Sequence, residues 1–432
     1  MRLAIVGAGW AGLACAVHSV RLGHEVHVFE AARTVGGRAR RIEASAGPVL
    51  DNGQHILIGA YSASLALMRE LGVDPDRALL RLPLRLRFAD GNGIAMPRLP
   101  AGLDLLAGIA TARGWSVADK LGLVRTSLAW RFSGFRCAPT ATVADLCRRL
   151  PARVMAELIE PLCVSALNTP VETSSGQVFL RVLHDALFAE RGGADLLLPR
   201  VDLGQLLPDP ALAWLKAHGA TLKLGHRVQS LRPQGAGWQV DDEPFDHVVL
   251  ACAAWDAARL VHASGVAAAP WLAATEGLRF TAITTVYADG ARRPLDAPVV
   301  ALRSSAQAPA QFVFDRGQLG GPSGLLAFVV SASDTQKASL EEAVLAQGAT
   351  QLGEPGLRPV RTVIEKRATF ACTPALNRPP ARIADGLWAC GDYVEGPYPA
   401  TLEGAVRCAA EVARALPPAQ APGAPPVYQP QR

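Results

Sequence analysis

The sequence predicts an α/β fold: a discontinuous Rossmann-like dinucleotide-binding domain interlocked with an α+β substrate domain. Three observations carry this prediction. A strand, glycine turn, helix and second strand open the chain; an apolar strand running into Gly391-Asp392 and then a helix lies near its other end; and a length of 432 residues exceeds the usual single domain. Hydrophobic residues make up 50% and charged residues 19%, ample for a large core and unlike a disordered chain. The excess of 43 Lys+Arg over 38 Asp+Glu is small, and no basic run, zinc-finger or helix-turn-helix pattern occurs, so nucleic acid is not an expected partner. The eight cysteines form no CxxC and no ligand spacing, so reduced thiols and no metal are expected.

Leu3-Ala4-Ile5-Val6 reads as a strand, Gly7-Ala8-Gly9-Trp10-Ala11-Gly12 as a tight turn, and the following stretch as a helix to Leu22. Leu3 to Val20 carries no charge, but its three glycines argue against a membrane span or signal peptide. A second strand over Glu25 to Phe29 ends at Glu30, 18 residues after Gly12. In this unit Gly7 permits the turn, Gly9 lets backbone approach a pyrophosphate, Gly12 lets the helix pack on the strand, and Glu30 accepts from ribose hydroxyls. Arg33, Gly36, Gly37 and Arg38 follow directly, where nicotinamide enzymes continue into a helix. A Gly-Gly-Arg turn suits a second approach to the diphosphate and supplies positive charge for it, and this continuation resembles that of flavoproteins, which makes FAD rather than NAD the expected cofactor.

Near the other end, Gly386 to Cys390 reads as a strand running into Gly391 and Asp392, and Leu402-Glu403-Gly404-Ala405 opens a helix reaching about Leu416. Asp392 is placed to bond ribityl or pyrophosphate oxygens, and the amides of Thr401 and Leu402 to face the flavin. Between the ends, Asp209-Pro210 reads as a helix start and Gly219 as its end. Thr221 to Leu224, Arg227 to Leu231, Trp238 to Val240 and Asp246 to Ala253 read as strands, with the backbone of Val228 expected at the adenine. The FAD domain is therefore expected over 1–60, 200–265 and 385–416. The substrate domain takes 61–199, rich in helices, and 266–384, with strands such as Phe280 to Tyr287 and Leu325 to Val330. The last sixteen residues, 417–432, hold six prolines and read as a disordered tail.

Leu50-Asp51-Asn52-Gly53-Gln54-His55-Ile56-Leu57-Ile58-Gly59-Ala60-Tyr61 follows the Gly-Gly-Arg turn and carries the chain from the diphosphate towards the isoalloxazine. The fingerprint and Gly-Gly-Arg together resemble flavoproteins of the amine oxidase and carotenoid desaturase type, within the glutathione reductase-like folds. The Asp51 to His55 segment with Gly59-Ala60-Tyr61 resembles more closely the squalene-associated FAD-dependent desaturases, understood as hydroxysqualene dehydroxylases. Further matches are Asn168-Thr169-Pro170, Ser174-Ser175, Val178-Phe179, Leu196 to Leu203 and Pro399 to Val406; Tyr393 to Tyr398 departs from the pattern.

The resemblance implies reduction of hydroxysqualene, a C30 isoprenoid, to squalene by reduced FAD in hopanoid and sterol precursor synthesis. That reaction needs a proton donor at the hydroxyl and a dry apolar tunnel. His55 or Asp51 is the expected donor, with Gln54 and Asn52 orienting; Tyr61 and Glu395 are weaker candidates. No second dinucleotide fingerprint is present, so an unidentified electron donor must regenerate the flavin. Leu103 to Phe135 mixes apolar and aromatic residues with Arg113, Lys120, Arg125 and Arg131, which suits an interface with a bilayer. A cytoplasmic protein, peripheral on the inner face of the membrane, is expected. The competing readings are a desaturase of dehydrosqualene or phytoene type, an amine or protoporphyrinogen oxidase, and a non-catalytic FAD-stabilised isoprenoid carrier.

Overall fold

A computed structural model of the chain describes residues 1–42, 47–100, 102–189, 191–333 and 337–418. All but two residues of the 417–432 tail lie outside the described residues. The central element is a six-stranded sheet in the order Thr221–Leu224, Glu25–Glu30, Arg2–Val6, His247–Leu250, Leu387–Ala389, Arg382–Ala384. All neighbours are parallel except the last pair. Leu3, Ile5, Val28, Val248, Val249 and Leu387 are fully buried, because helices cover both faces and each strand must be apolar throughout. The sheet draws on three stretches of chain far apart in sequence. Its edge strand at Arg382 begins just before residue 385, and its parallel strands all end on the same side, where ligand crevices form in such sheets.

The helix Trp10–Arg21 packs between the helices Pro208–Ala217 and Leu402–Ala415. Its close approach to the first strand depends on glycine. A Cβ on Gly12 would stand 1.9 Å from the Gly7 carbonyl oxygen, and Gly7 itself has φ +112° with Ala251 at its back. Two local expectations give way. The helix after Leu207 begins at Pro208 rather than at Asp209, because proline at its first position presets φ, and Asp209 instead accepts from Arg41. Residues 226–230 form no strand: Gln229 and Ser230 donate their N–H groups to the Asp241 carboxylate, and strand pairing begins only at Leu231.

The second layer is a five-stranded antiparallel sheet in the order Val299–Ala301, Phe312–Asp315, Leu326–Ser333, Phe280–Asp289, Arg358–Phe370. Side chains alternate across the strand Phe280–Asp289. Val286 and Ala288 enter an apolar cluster with Val344 of the helix Lys337–Leu352, while Ile283 and Tyr287 face the cluster formed by the helices of 103–189. Asn168 ends the helix Glu160–Leu167 in the left-handed conformation and bonds three strands at once, through Thr281, Thr369 and the Ala332 N–H. Among the described residues, no helix is long and apolar enough to cross a membrane.

Gly12→Ala should lower stability by about 3 kcal/mol or more, since the backbone of the first turn has to move; equilibrium denaturation of the purified protein measures it.

Candidate active site

The glycine-rich turn and the acid at the end of the second strand form one rigid unit. Glu30 accepts from the Ala8 N–H at 2.7 Å through one carboxylate oxygen and from the Ala32 N–H at 2.8 Å through the other. The acid therefore braces the turn, and its remaining lone pairs stay available to an outside donor. The helix Trp10–Arg21 has no side-chain cap and no acid in its first turn, leaving its first N–H groups to an outside acceptor. Gly9 sharpens this. Its backbone is extended, at φ −72°, and a Cβ there would meet only Gly37 Cα at 3.8 Å. Neither conformation nor packing within the chain requires glycine at this position, whereas a diphosphate lying on the turn does.

The neighbouring groups continue the same cradle. Gly36 donates to the Ala8 carbonyl at 2.8 Å, which lays the Gly-Gly-Arg turn along the first. Arg33 is exposed beside Gly225. Val228 is buried, and its carbonyl accepts from Arg259 at 3.0 Å. That occupies one of the two backbone groups expected at the adenine. Arg38 is committed more fully than the sequence suggests: its guanidinium donates to Asp392 at 2.5 Å and to the Ala368 carbonyl at 2.6 Å. Desolvation works against its charge, but Asp392 outweighs that and raises its pKa.

Asp392 sits behind Gly391, and its carbonyl accepts from Ala400 at 3.1 Å, closing the loop back onto Thr401. The Thr401 hydroxyl caps the helix Leu402–Ala415 through the Gly404 N–H at 2.9 Å, so the Leu402 amide starts an orderly helix end. Glu403, to which the sequence assigned no role, is fully buried and accepts from the Ala63 and Ser64 N–H groups, the Ser64 hydroxyl and Arg407. It locks the closing helix to the helix Ser62–Glu70. A charged residue in the apolar face of that closing helix is the signal that marks it.

The Asp51 to His55 segment is held on one side by Arg38 of the Gly-Gly-Arg turn and Leu203, and on the other by the five-stranded layer. Asn52 donates to the Arg38 carbonyl at 2.9 Å and to Glu365 at 3.1 Å. The backbone of Gly53 faces Thr285, whose hydroxyl accepts from the Gln54 N–H at 3.2 Å, and Arg316 donates to the Gln54 side-chain oxygen at 3.1 Å. Glu365, Thr285 and Arg316 belong to the five-stranded layer and carry no local sequence signal. Asp51 is buried; one of its oxygens accepts from Leu203 N–H at 2.9 Å, and its carbonyl accepts from the Tyr287 hydroxyl at 3.1 Å. Burial pushes its carboxyl up to about 6, against the Leu203 bond and the charge of Arg316.

His55 shares a hydrogen bond at 2.9 Å between Nδ1 and the Gly53 carbonyl. Desolvation and the charge of Arg38 hold its pKa below the ordinary value despite that bond. A neutral ring donating from Nδ1 keeps Nε2 as an acceptor, so the expectation of His55 as proton donor fits this environment poorly. Of the weaker candidates, Glu395 is exposed on the loop before Tyr398. Desolvation raises the Tyr61 hydroxyl well above its usual range.

Gly9→Val should leave the apoprotein folded with an unchanged unfolding temperature while abolishing retention of FAD, read as loss of flavin absorbance after purification. A yellow, FAD-loaded variant would remove Gly9 from the cradle.

The chain matches the flavin containing amine oxidoreductase family over residues 10–417. It is 30% identical to the hydroxysqualene dehydroxylase of Rhodopseudomonas palustris over 430 residues, covering 93% of this chain and 95% of that protein. It is 42% identical to the zeta-carotene desaturase of Synechocystis over 79 residues, covering 18% of this chain and 16% of that one. Among solved structures, wild-type putrescine oxidase bound to putrescine superposes with a TM-score of 0.69 at 17% identity, covering 96% of this chain and 99% of the other; this likeness concerns the fold. The chain belongs to the flavin containing amine oxidoreductase family and is an FAD-dependent oxidoreductase.

Proposed function

We propose that the protein catalyses the reductive dehydroxylation of hydroxysqualene to squalene, supplying precursors of hopanoids and sterols. The observation that carries this reading is the extent of similarity. The relative named hydroxysqualene dehydroxylase aligns along 93% of the chain, whereas the relative named zeta-carotene desaturase aligns along 18%. The residues matched to the dehydroxylase pattern, Asp51 to His55, also lie at the junction of the two sheets. FAD is held by Gly7, Gly9, Gly12, Glu30, Gly36, Gly37, Arg38, Asp392 and the start of the helix Leu402–Ala415. The chemistry supplied by reduced FAD, when bound, is a hydride for the allylic carbon as the hydroxyl departs as water.

The protein's own residues manage the proton and the water. Asp51 is the acid: with one oxygen engaged by Leu203 N–H, the other holds a proton for the leaving hydroxyl. Burial places its pKa near 6, the range in which a general acid is both populated and willing to give up its proton. Arg316 fixes Gln54 and Glu365 fixes Asn52, orienting the segment around it. With Nδ1 engaged by the Gly53 carbonyl, a neutral His55 leaves Nε2 as an acceptor and is not the proton donor. The apolar cluster behind Leu50 and Tyr287 keeps water from recapturing an allylic cation. An external reductase or reduced carrier regenerates the flavin.

An anaerobic single turnover tests the reading: flavin-reduced protein mixed with hydroxysqualene should reoxidise its flavin as squalene appears. A flavin that stays reduced, with the oxidised protein instead desaturating squalene or phytoene, would make the oxidative direction correct. Asp51→Asn should retain FAD and lose roughly 100-fold or more of the single-turnover rate. The wild-type rate should fall about tenfold per pH unit above about 6, as the acid deprotonates. Stability carries an independent sign. A carboxyl whose folded pKa is raised contributes stability that is present below its unfolded pKa of 3.8 and lost as pH rises through about 6. Asp51→Asn should remove that loss, gaining on the order of 2 kcal/mol relative to wild type at pH 8 in denaturant titrations.

A further inference from the structure

The helices Leu103–Ala110 and Val117–Phe132 pack against each other on the outside of the second layer. Among the described residues, twelve large apolar side chains are exposed, and seven of them lie between Leu99 and Phe132. On the longer helix, Val117, Leu121, Leu128 and Phe132 fall within an arc of roughly 60° at about 100° per residue. Leu123 and Trp130, which face the core, lie on the opposite side. Phe132 is 88% exposed and Val117 72%. This is the reverse of a surface helix in water, which turns its polar stripe outwards.

Charge frames the stripe. Lys120 and Arg131 lie along one flank and Arg125 along the other by the same helical spacing. From Arg98 to Arg136 the chain carries six cations against two carboxylates, on a protein whose whole net charge is +5. Both carboxylates are spent locally: Asp104 accepts from the Leu105 N–H at 2.7 Å, and Asp119 accepts from the N–H and hydroxyl of Ser116 at 2.8 Å. The outward face is therefore apolar at its centre and cationic at its rim. Beside Phe132, a groove of about 400 Å³ is lined by Gly102, Arg131, Gly134, Phe135, His184 and Phe188. Phe188 belongs to a π-helical turn, Asp185–Ala189. Asp185 at its start accepts from both His184 and the Tyr398 hydroxyl, the latter on the loop between Asp392 and Thr401. The groove and the FAD-side loop are thus one hydrogen bond chain apart.

We propose that the face formed by these two helices docks on an anionic phospholipid bilayer, with Leu103, Leu106, Val117, Leu121, Leu128 and Phe132 entering the interface and the flanking cations meeting headgroup phosphates. The proposal stands on this surface and not on the identity of the reaction. Docking sets the groove against the lipid phase, from which an apolar substrate passes along Phe135 and Phe188 without crossing water. Apolar burial supplies the hold, and the cations select anionic lipid and make binding salt-dependent.

Co-sedimentation of the full-length, FAD-loaded protein with vesicles tests this. Wild type should bind phosphatidylglycerol-containing vesicles at least tenfold more tightly than pure phosphatidylcholine vesicles, and more weakly as salt rises. Leu128→Ser combined with Phe132→Ser should reduce binding at least tenfold with FAD content and unfolding temperature unchanged. Lys120→Gln combined with Arg125→Gln should erase the preference for anionic lipid, and Val360→Ser, an exposed apolar site elsewhere, should change nothing. Failure of wild type to bind anionic vesicles, or undiminished binding by the double serine variant, overturns the proposal. Self-association of wild type that the serine variant disperses, without vesicle binding, assigns the face to a second copy of the chain and overturns it as well.

Discussion

Arg38 and Asp392 are 354 residues apart and meet at 2.5 Å, and the site depends on that meeting. The parallel sheet delivers both residues to the same side, because its strands share one direction and end together. The pair then fixes their distance. Asp392 is nearly buried while Arg38 keeps 39% of its side chain exposed, so solvent screens the attraction and the net stabilisation is modest. The larger consequence is geometric. With Arg38 held, its carbonyl receives Asn52, and the segment that follows is carried to the face of the second sheet.

That segment is pinned by alternation in the antiparallel layer. Ile283, Thr285 and Tyr287 share one face of their strand because side chains repeat every second residue, and Thr285 and Tyr287 bond Gln54 and Asp51 respectively. Glu365, paired with Ile283 across the neighbouring strand, reaches Asn52. A slip of one residue in this register would turn all three contacts into the opposite cluster. The second layer is thus a template for the Asp51 to His55 segment as well as a wall of the apolar cluster.

The sequence made the dinucleotide end legible because its constraints are local. Gly7, Gly12 and Glu30 act within one strand, turn and helix, and their spacing is set by backbone geometry. Gly391, Asp392 and the helix from Leu402 were readable for the same reason. What was not readable depends on distant register. Glu365, Thr285 and Arg316 look like ordinary strand and loop residues until the five-stranded sheet assembles, and nothing local to Glu403 announces its tie to Ser64. The strand expected at Arg227 failed because Asp241 captures the N–H groups of Gln229 and Ser230, a competition between a side chain and a ladder that propensity does not weigh.

The same physical cause acts on both titratable groups of the junction in opposite senses. Desolvation disfavours whichever form is charged, so it raises a carboxyl and lowers an imidazole. Asp51 and His55 lie four residues apart, and removing both from water raises the carboxyl to about 6 and holds the imidazole below its ordinary value. The charge of Arg38 adds to this effect at His55, and that of Arg316 works against it at Asp51. In the proposed reaction the same dryness would protect an allylic cation from water, so proton supply and water exclusion would be one property of the junction. On that proposal, a substitution that admits water near Leu50 or Tyr287 would degrade both together, whereas one at Asp51 alone would remove the proton and leave the dry site intact.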